Sequence, residues 1–185
     1  MKRVFIGIKT DNYALIKFID EFKNNLSFEK IKWTKYENIH ITLKFIGDID
    51  DGNLNLLINK LELIKKQKKF NINIKSAGCF PDCSKPRILW FGVEHPENLN
   101  ILYHEINDIT GFINPGQEDI KNFHPHVTIG RIKFLKNKDS LLQLIEKYKN
   151  FVFQNQEVDK ITLFQSILKP EGPAYNVISE YQLMG

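Results

Sequence analysis

The sequence predicts an α+β protein made of two similar halves around one cleft. Strand and helix periodicities alternate along the whole chain. The order strand, helix, strand, proline-containing turn, strand occurs twice, and a His-x-Thr pattern opens each copy. With 185 residues, 42% of them hydrophobic, we expect residues 1–185 to form a single bilobal domain with an internal duplication and a seam between His95 and Asn100.

The individual elements follow from the spacing of apolar residues, which alternate in strands and recur three and four apart in helices. In the first half, the pattern predicts strands over 3–9, 39–46, 70–74 and 88–93, with helices over 13–22 and 54–64. In the second half it predicts a helix over 99–112 ended by Gly111, a strand over 127–132, a helix over 140–148, and strands over 158–168 and 175–183.

Composition excludes several classes of protein. The chain has 26 Lys and Arg against 22 Asp and Glu, a net charge of +4, which is well below that of proteins that coat duplex nucleic acid. Lys9 and Asp11 interrupt the first apolar stretch too early for a signal peptide or a membrane span. We therefore expect a cytoplasmic protein, a monomer that does not bind membranes. Cys79 and Cys83 have no second pair, so two free thiols are expected.

The most informative feature is a motif that occurs twice. The two copies are His40-Ile41-Thr42-Leu43 and His126-Val127-Thr128-Ile129. Because successive strand side chains point to opposite faces, His and Thr share one face, while apolar neighbours such as Ile41 and Val127 occupy the other. Imidazole and hydroxyl would then lie about 7 Å apart along the strand and could straddle a phosphate-sized anion.

Two histidines in one cleft suit acid–base chemistry at neutral pH. One neutral imidazole can accept a proton from water while the other, protonated, gives a proton to a leaving oxygen. The hydroxyls of Thr42 and Thr128 can donate hydrogen bonds to the charge that develops on phosphate oxygens. No metal is required for this chemistry.

Longer stretches around both motifs resemble a known family. The segments HITLKFIG from His40 and FHPHVTIGR from Phe123 are similar to the paired H-x-T-x motifs of the two-histidine phosphoesterases, and the nearest likeness is to RNA 2′,3′-cyclic phosphodiesterases, also described as the 2′-5′ RNA ligase type. Trp33, residues 86–90 and residues 166–175 extend the likeness over nearly the whole chain.

The resemblance implies a bilobal fold with an antiparallel sheet in each lobe. It also implies that His40 is the proton donor to O3′ and His126 the proton acceptor from water, with an RNA 2′,3′-cyclic phosphate as substrate, a 2′-phosphate as product and no cofactor.

Five further side chains near the motifs have two possible roles. Arg131 is predicted to bind the phosphate, provided that Gly130 permits a bulge that turns the guanidinium out of the apolar face. Lys44 is interpreted as an exposed strand lysine, and Phe45 as a core residue. Phe123 and Tyr175 could stack on a nucleobase or belong to the core.

The sequence leaves several alternatives open. His124 and His126 have H-x-H spacing and, with His40, could ligate zinc, although no Asp, Glu or Cys accompanies them. His95 and His104 have no partner pattern and are predicted to lie on the surface. The substrate could instead be ADP-ribose cyclic phosphate or 2′-5′ oligoadenylate, or the protein could bind RNA ends without turnover.

Overall fold

A computed structural model describes residues 1–11, 13–94, 96–113, 123–170 and 172–185. The strands are β1 (Lys2–Lys9), β2 (Lys30–Trp33), β3 (His40–Ile49), β4 (Phe70–Phe80), β5 (Ile88–Val93), β6 (His126–Phe134), β7 (Val152–Val158), β8 (Lys160–Lys169) and β9 (Gly172–Gln182). The helices are α1 (Tyr13–Asn25), α2 (Asp51–Leu61), α3 (Glu97–Thr110) and α4 (Lys138–Lys147), with short 3-10 helices at Tyr36–Asn38 and Glu62–Lys66. None of the helices within the described ranges has the length and apolar character needed to cross a membrane.

The strands form one antiparallel sheet in the order β7-β4-β5-β6-β3-β1-β8-β9. Strand β2 lies outside this order and pairs with the end of β6. The connection in the middle is minimal, because β3 and β6 pair only at Ile41 and Val127. The sheet therefore consists of a β3 half (β3, β1, β8, β9) and a β6 half (β6, β2, β5, β4, β7). This arrangement confirms the predicted α+β class.

Each half of the sheet takes strands from both halves of the chain. Strand β4 comes before the predicted seam, yet it lies between β5 and β7. Strand β8 comes after the seam, yet it lies between β1 and β9. The predicted seam near Asn100 therefore does not coincide with the boundary between the two halves of the sheet. Asn100 itself lies inside α3, and His95 lies outside the described residues.

The helices bury the faces that the spacing predicts. Helix α2 buries Leu54, Leu57 and Leu61, and the side chain of Asp50 caps its first turn by accepting a hydrogen bond from the Asn53 backbone N–H at 2.9 Å. Helix α3 ends at Thr110, and Gly111 is its C-cap, as expected. These helices cover the apolar side of the sheet and leave its other side available.

Two strands are absent from the sequence prediction, and several others are longer or shifted. Strand β2 alternates but has only four residues, and β7 is an edge strand whose centre is polar, so neither gives a clear signal in the sequence. Strand β4 continues past Ile74 to Phe80 through Ser76, which has a positive φ of 65°. The predicted strand at 158–168 begins at Lys160, because Val158 ends β7.

Candidate active site

The meeting point of β3 and β6 brings the two His-x-Thr motifs together. Ile41 and Val127 are fully buried and directly opposite each other. Since the strands are antiparallel, this register places His40 beside Thr128, and Thr42 correspondingly beside the second histidine, all on the opposite face. The four polar side chains are half-buried. The predicted faces of both motifs are confirmed.

Both histidines are held in the same orientation by a backbone carbonyl. Nδ1 of His40 lies 2.7 Å from the carbonyl oxygen of Asn38, and Nδ1 of His126 lies 2.7 Å from the carbonyl oxygen of His124. A carbonyl oxygen can only accept, so Nδ1 carries the proton in each neutral ring. Nε2 is therefore the nitrogen left for proton transfer in both motifs.

The first motif differs from the expected spacing of imidazole and hydroxyl. Nε2 of His40 lies 3.0 Å from Oγ1 of Thr42, so the two groups contact each other and do not straddle an anion. The expectation of a 7 Å gap was wrong because the imidazole extends along the strand toward its neighbour on the same face. The Thr42 hydroxyl can consequently orient the reactive nitrogen of His40.

Aromatic side chains fix the planes of both imidazoles. The centroid of the His40 ring lies 4.9 Å from that of the tilted Phe5 ring and 5.1 Å from that of Tyr175 at an interplanar angle of 86°. The centroid of the His126 ring lies 4.9 Å from that of Phe80 at an interplanar angle of 80°. Such edge-to-face contacts restrict ring rotation. The two nitrogens are thus preorganised before a substrate binds.

The environment disfavours the charged form of both histidines. Burial lowers the pKa of His40 from its usual 6.5, and the charge of His126 lowers it further. Burial also lowers the pKa of His126, with smaller contributions from His124 and Arg131 that oppose the effect of its carbonyl hydrogen bond. Both imidazoles are therefore predominantly neutral at pH 7 in the unliganded protein.

A cavity of about 110 Å³ opens on the His40 side of the site, and we call it the His40 cavity. The residues that line it include His40, Thr42, Phe45, Thr128, Arg131 and Tyr175. It combines aromatic walls with hydroxyl and guanidinium groups, a composition suited to an organic anion. His126 is not among the lining residues, so the cavity distinguishes the two sides of the site.

A β-bulge accounts for the direction of Arg131. Along the β5–β6 pair, Trp90 is opposite Thr128 and Leu89 is opposite Gly130, so Ile129 is an extra residue on β6. The extra residue reverses the alternation, and Arg131 lines the His40 cavity. The bulge expected near Gly130 is present, while the part of Arg131 in substrate binding stays a prediction.

The prediction that Phe45 belongs to the core is wrong. Phe45 is 67% exposed and lines the His40 cavity. A register shift in the β1–β3 pair leaves Leu43 as an extra residue on β3, and this bulge moves Phe45 to the face of His40. Lys44, predicted to be exposed, is half-buried and is not a lining residue of the cavity.

The two aromatic residues left open by the sequence have different roles. Tyr175 lines the His40 cavity, and burial raises the pKa of its hydroxyl. Phe123 stacks on Tyr103 at 3.8 Å between ring centroids and packs against the core. Sequence reasoning missed Asn38, whose side chain donates a hydrogen bond to the Pro173 carbonyl at 2.7 Å while its own carbonyl orients His40. No sequence signal identifies such a backbone role.

Within the described parts of the chain, no group of three or more His, Cys, Asp or Glu side chains is arranged to hold a metal ion. His124 instead packs against Phe80 and Trp90. His104 is exposed, as predicted, and the prediction for His95 concerns a residue outside the described ranges. Cys79 and Cys83 are free thiols, as expected.

The fold and the paired motifs define a two-histidine phosphoesterase, which confirms the family resemblance of the sequence. The model of the family described as LigT like Phosphoesterase matches residues 8–90 and again residues 94–175. The chain belongs to this family.

Relatives extend over the whole chain. It is 36% identical to the RNA 2′,3′-cyclic phosphodiesterase of Aquifex aeolicus, covering 99% of this chain and 98% of that protein, and 37% identical to the one of Methanocaldococcus jannaschii, covering 97% and 99%. Among solved structures it resembles TT0787 of Thermus thermophilus, with a TM-score of 0.81, 21% identity and coverage of 99% and 98%. It also resembles Escherichia coli LigT complexed with 3′-AMP, with a TM-score of 0.79, 20% identity and coverage of 100% and 99%.

Proposed function

We propose that this protein hydrolyses the 2′,3′-cyclic phosphate at the end of an RNA to a 2′-phosphate, by acid–base catalysis with two histidines and without a metal. The observation that carries the proposal is the antiparallel meeting of the two motifs at Ile41 and Val127, with a reactive Nε2 on each side of one cleft. The names of the relatives from Aquifex and Methanocaldococcus support the substrate class.

The position of the His40 cavity supports the assignment of the two proton-transfer roles. A nucleoside bound among Phe45 and Tyr175 places its ribose oxygens next to His40. His126, which does not line the cavity, is then left on the side from which water approaches. His40 accordingly acts as the acid for O3′, and His126 acts as the base for water.

The reaction balances with these two groups alone. Nε2 of neutral His126 accepts a proton from water as the water oxygen forms a bond to phosphorus. The bond from phosphorus to O3′ breaks, and Nε2–H of protonated His40 donates its proton to O3′. The product carries a 3′-hydroxyl and a 2′-phosphate. Exchange with solvent returns the proton to His40 and removes one from His126.

In the proposed mechanism three further side chains stabilise the charge in the transition state. The hydroxyls of Thr42 and Thr128 lie beside the imidazoles, and Arg131 lines the same cavity. Hydroxyl and guanidinium donors stabilise the negative charge that accumulates on the non-bridging oxygens as water attacks. Since the site is half-buried, these interactions are stronger than in bulk water.

The proposal also needs His40 to be protonated, although its pKa is lowered in the free protein. A bound phosphodiester carries a negative charge, and an opposite charge within a few ångströms raises the pKa of an imidazole. Substrate binding thus favours the protonation state in which His40 can donate.

The test is hydrolysis of a short RNA that ends in a 2′,3′-cyclic phosphate, in excess EDTA and in water labelled with oxygen-18. We expect one labelled oxygen in the product and co-migration with a synthetic 2′-phosphate standard. His104→Ala is the matched control, because His104 is exposed on α3 and outside the site.

Other outcomes separate the alternatives. A 3′-phosphate product would contradict the role of His40 as donor to O3′, and loss of activity in EDTA restored by zinc would contradict metal-free catalysis. Tight binding without turnover would favour a module that only recognises RNA ends. If ADP-ribose cyclic phosphate or 2′-5′ oligoadenylate were cleaved faster than the cyclic RNA end, that compound would be the better candidate for the substrate.

A further inference from the structure

A second depression adjoins the His40 cavity and is formed by residues 84–88, 131–135 and Lys138, a set that we call the basic groove. Its volume is about 790 Å³. We propose that the basic groove binds the single-stranded RNA that precedes the cyclic phosphate, so that the enzyme reads a polynucleotide and not only its terminal nucleotide. This inference rests on the proposed function and adds a binding site to it.

Charge is the first reason for the assignment. The groove residues include five cations, namely Lys85, Arg87, Arg131, Lys133 and Lys138, and no Asp or Glu. The chain as a whole has a net charge of only +4, so this concentration is local. A polyanion gains most from such a surface through release of its counterions.

An exposed aromatic ring is the second reason. Phe134 lies in the groove at the end of β6 and is 60% exposed. Single-stranded nucleic acids bind where basic side chains follow the backbone and aromatic rings stack on the bases. The combination of Phe134 with lysines and an arginine is therefore better suited to single-stranded RNA than to a small anion.

Continuity with the catalytic site is the third reason. Arg131 lines both the His40 cavity and the basic groove. A register shift in the β2–β6 pair leaves Lys133 as an extra residue on β6, and Lys133 and Phe134 both line the groove beyond Arg131. A chain whose 3′ end lies at His40 would therefore pass Arg131 and continue toward Lys133.

The groove is already formed, because its two walls are held by hydrogen bonds. In one wall the carboxylate of Asp82 accepts from the backbone N–H groups of Ser84 at 2.6 Å and Lys85 at 3.1 Å. Across the groove, Lys138 Nζ donates to the Ser84 carbonyl at 2.9 Å. Asp82 is the acid that interacts with Lys138, and it stands outside the lining set.

The second wall is anchored from another part of the chain. The carboxylate of Glu29 accepts hydrogen bonds from the backbone N–H groups of Lys136 at 2.5 Å and Asn137 at 2.9 Å. This contact holds the turn after β6 without occupying the groove, since Glu29 is not a lining residue. Little ordering of the protein is then required when RNA binds.

The test compares two substrates with the same reactive end. One is a nucleoside 2′,3′-cyclic monophosphate, and the other is an RNA about ten nucleotides long with a cyclic end, long enough to occupy a single-strand site. The groove variant is Lys85→Gln, Arg87→Gln and Lys133→Gln together. The matched control removes the same charge elsewhere through Lys66→Gln, Lys68→Gln and Lys69→Gln, at and just after the end of the 3-10 helix Glu62–Lys66.

We expect the groove variant to raise KM for the long RNA about tenfold or more at low salt and to leave the monophosphate unchanged, while the control variant changes neither. Loss of three contacts should also reduce the slope of log kcat/KM against log salt by about 2 for the long RNA. If the groove variant lost kcat/KM equally on both substrates, or lost none on either, the proposed RNA-binding role of the groove would be wrong. If the native protein opens neither end, the proposed function fails, and binding of the same RNA by fluorescence anisotropy then decides the groove separately.

Discussion

The reactive nitrogen of His40 lies 3.0 Å from the hydroxyl oxygen of Thr42, whereas His126 and Thr128, both among the described residues, form no equivalent bond. The two motifs share a sequence pattern but not this contact. When His40 is neutral, the Thr42 hydroxyl donates to Nε2, and when His40 is protonated, Nε2–H donates to the Thr42 oxygen or to a substrate oxygen bound beside it. In the proposed mechanism Thr42 therefore has two functions, orientation of the acid and stabilisation of charge.

Replacement of Thr42 should separate these functions from those of Thr128. We expect Thr42→Val and Thr128→Val each to lower kcat by about 10 to 10³-fold, the range for loss of one charge-stabilising donor. Only Thr42→Val should also move the limb of the pH profile that reports His40. Thr42→Ser keeps the hydroxyl and serves as the control. A native rate in both valine variants would mean that the hydroxyls only support the strands.

The lowered pKa values of His40 and His126 predict the pH dependence of kcat/KM. His40 must be protonated and His126 neutral, so the rate should follow a bell whose two apparent constants belong to the pair. Because both pKa values lie below 6.5, we expect the maximum of kcat/KM below that pH. The alkaline limb of kcat should lie at higher pH, since the bound phosphate raises the pKa of His40. A maximum well above neutral pH would contradict this assignment.

The same shifts have a consequence for folding stability. In the unfolded chain the histidines titrate near 6.5, whereas in the folded protein they resist protonation. As pH falls below 6.5 the unfolded state binds more protons, so the free energy of unfolding should decrease. Urea denaturation across this pH range measures the free energy of unfolding. In His40→Gln that free energy should decrease less as the pH falls.

A sulfur leaving group should distinguish the acid from the base. Each of His40→Ala and His126→Ala should lower kcat/KM on the natural RNA end by about 10² to 10⁴-fold. With sulfur in place of O3′, the leaving group needs little protonation, so we expect His40→Ala to recover most of its rate and His126→Ala to stay impaired. The double variant should be little worse than the worse single one, because the two residues act as a unit. Recovery of both variants would contradict the division of the two histidines into acid and base.

Phe45 should matter for binding and not for folding. Stacking of a base on an aromatic ring contributes about 1–3 kcal/mol, so Phe45→Ala should raise KM for the cyclic end by about 5- to 150-fold. A buried phenylalanine would cost about 3–5 kcal/mol of stability on the same change, whereas the exposed Phe45 should cost far less. Phe91, which is fully buried, provides the contrast in Phe91→Leu. A large drop in Tm for Phe45→Ala with an unchanged KM would indicate that Phe45 is a core residue and not a binding residue.

Exchange of strands between the two halves predicts that residues 1–185 unfold as one unit. Neither half of the sheet is complete without strands from the other half of the chain. We expect circular dichroism and tryptophan fluorescence to report a single coincident transition. Two separated transitions would show that the halves are independent domains.

Much of the fold and of the candidate site was predictable, and the failures have a common physical origin. Alternation correctly placed His40 and Thr42 on the face opposite Ile41, because that part of β3 is regular. It failed for Phe45, because the bulge on β3 depends on pairing with β1, a contact distant in sequence. Arg131 could be anticipated only because Gly130 marked the irregularity.

The pairing of strands was the part least accessible from the chain itself. The local pattern predicts that β4 and β8 are strands but does not predict which strands they pair with. The duplicated order of elements suggests that each half of the chain forms its own sheet. The structure instead pairs β8 with β1, across most of the chain. Edge strands such as β7 were missed because their polar residues need no alternation.

The placement of β8 and β9 also bears on how the protein is made. A ribosome releases the His40 motif early, but β1 can acquire its second neighbour only after residues 160–169 have left the exit tunnel. Until then one edge of β1 has unpaired backbone N–H and C=O groups, and these groups can pair with strands of other nascent chains. A chain that stops before these residues would therefore lack the second neighbour of β1, including Phe164 beside His40, and would be prone to aggregate.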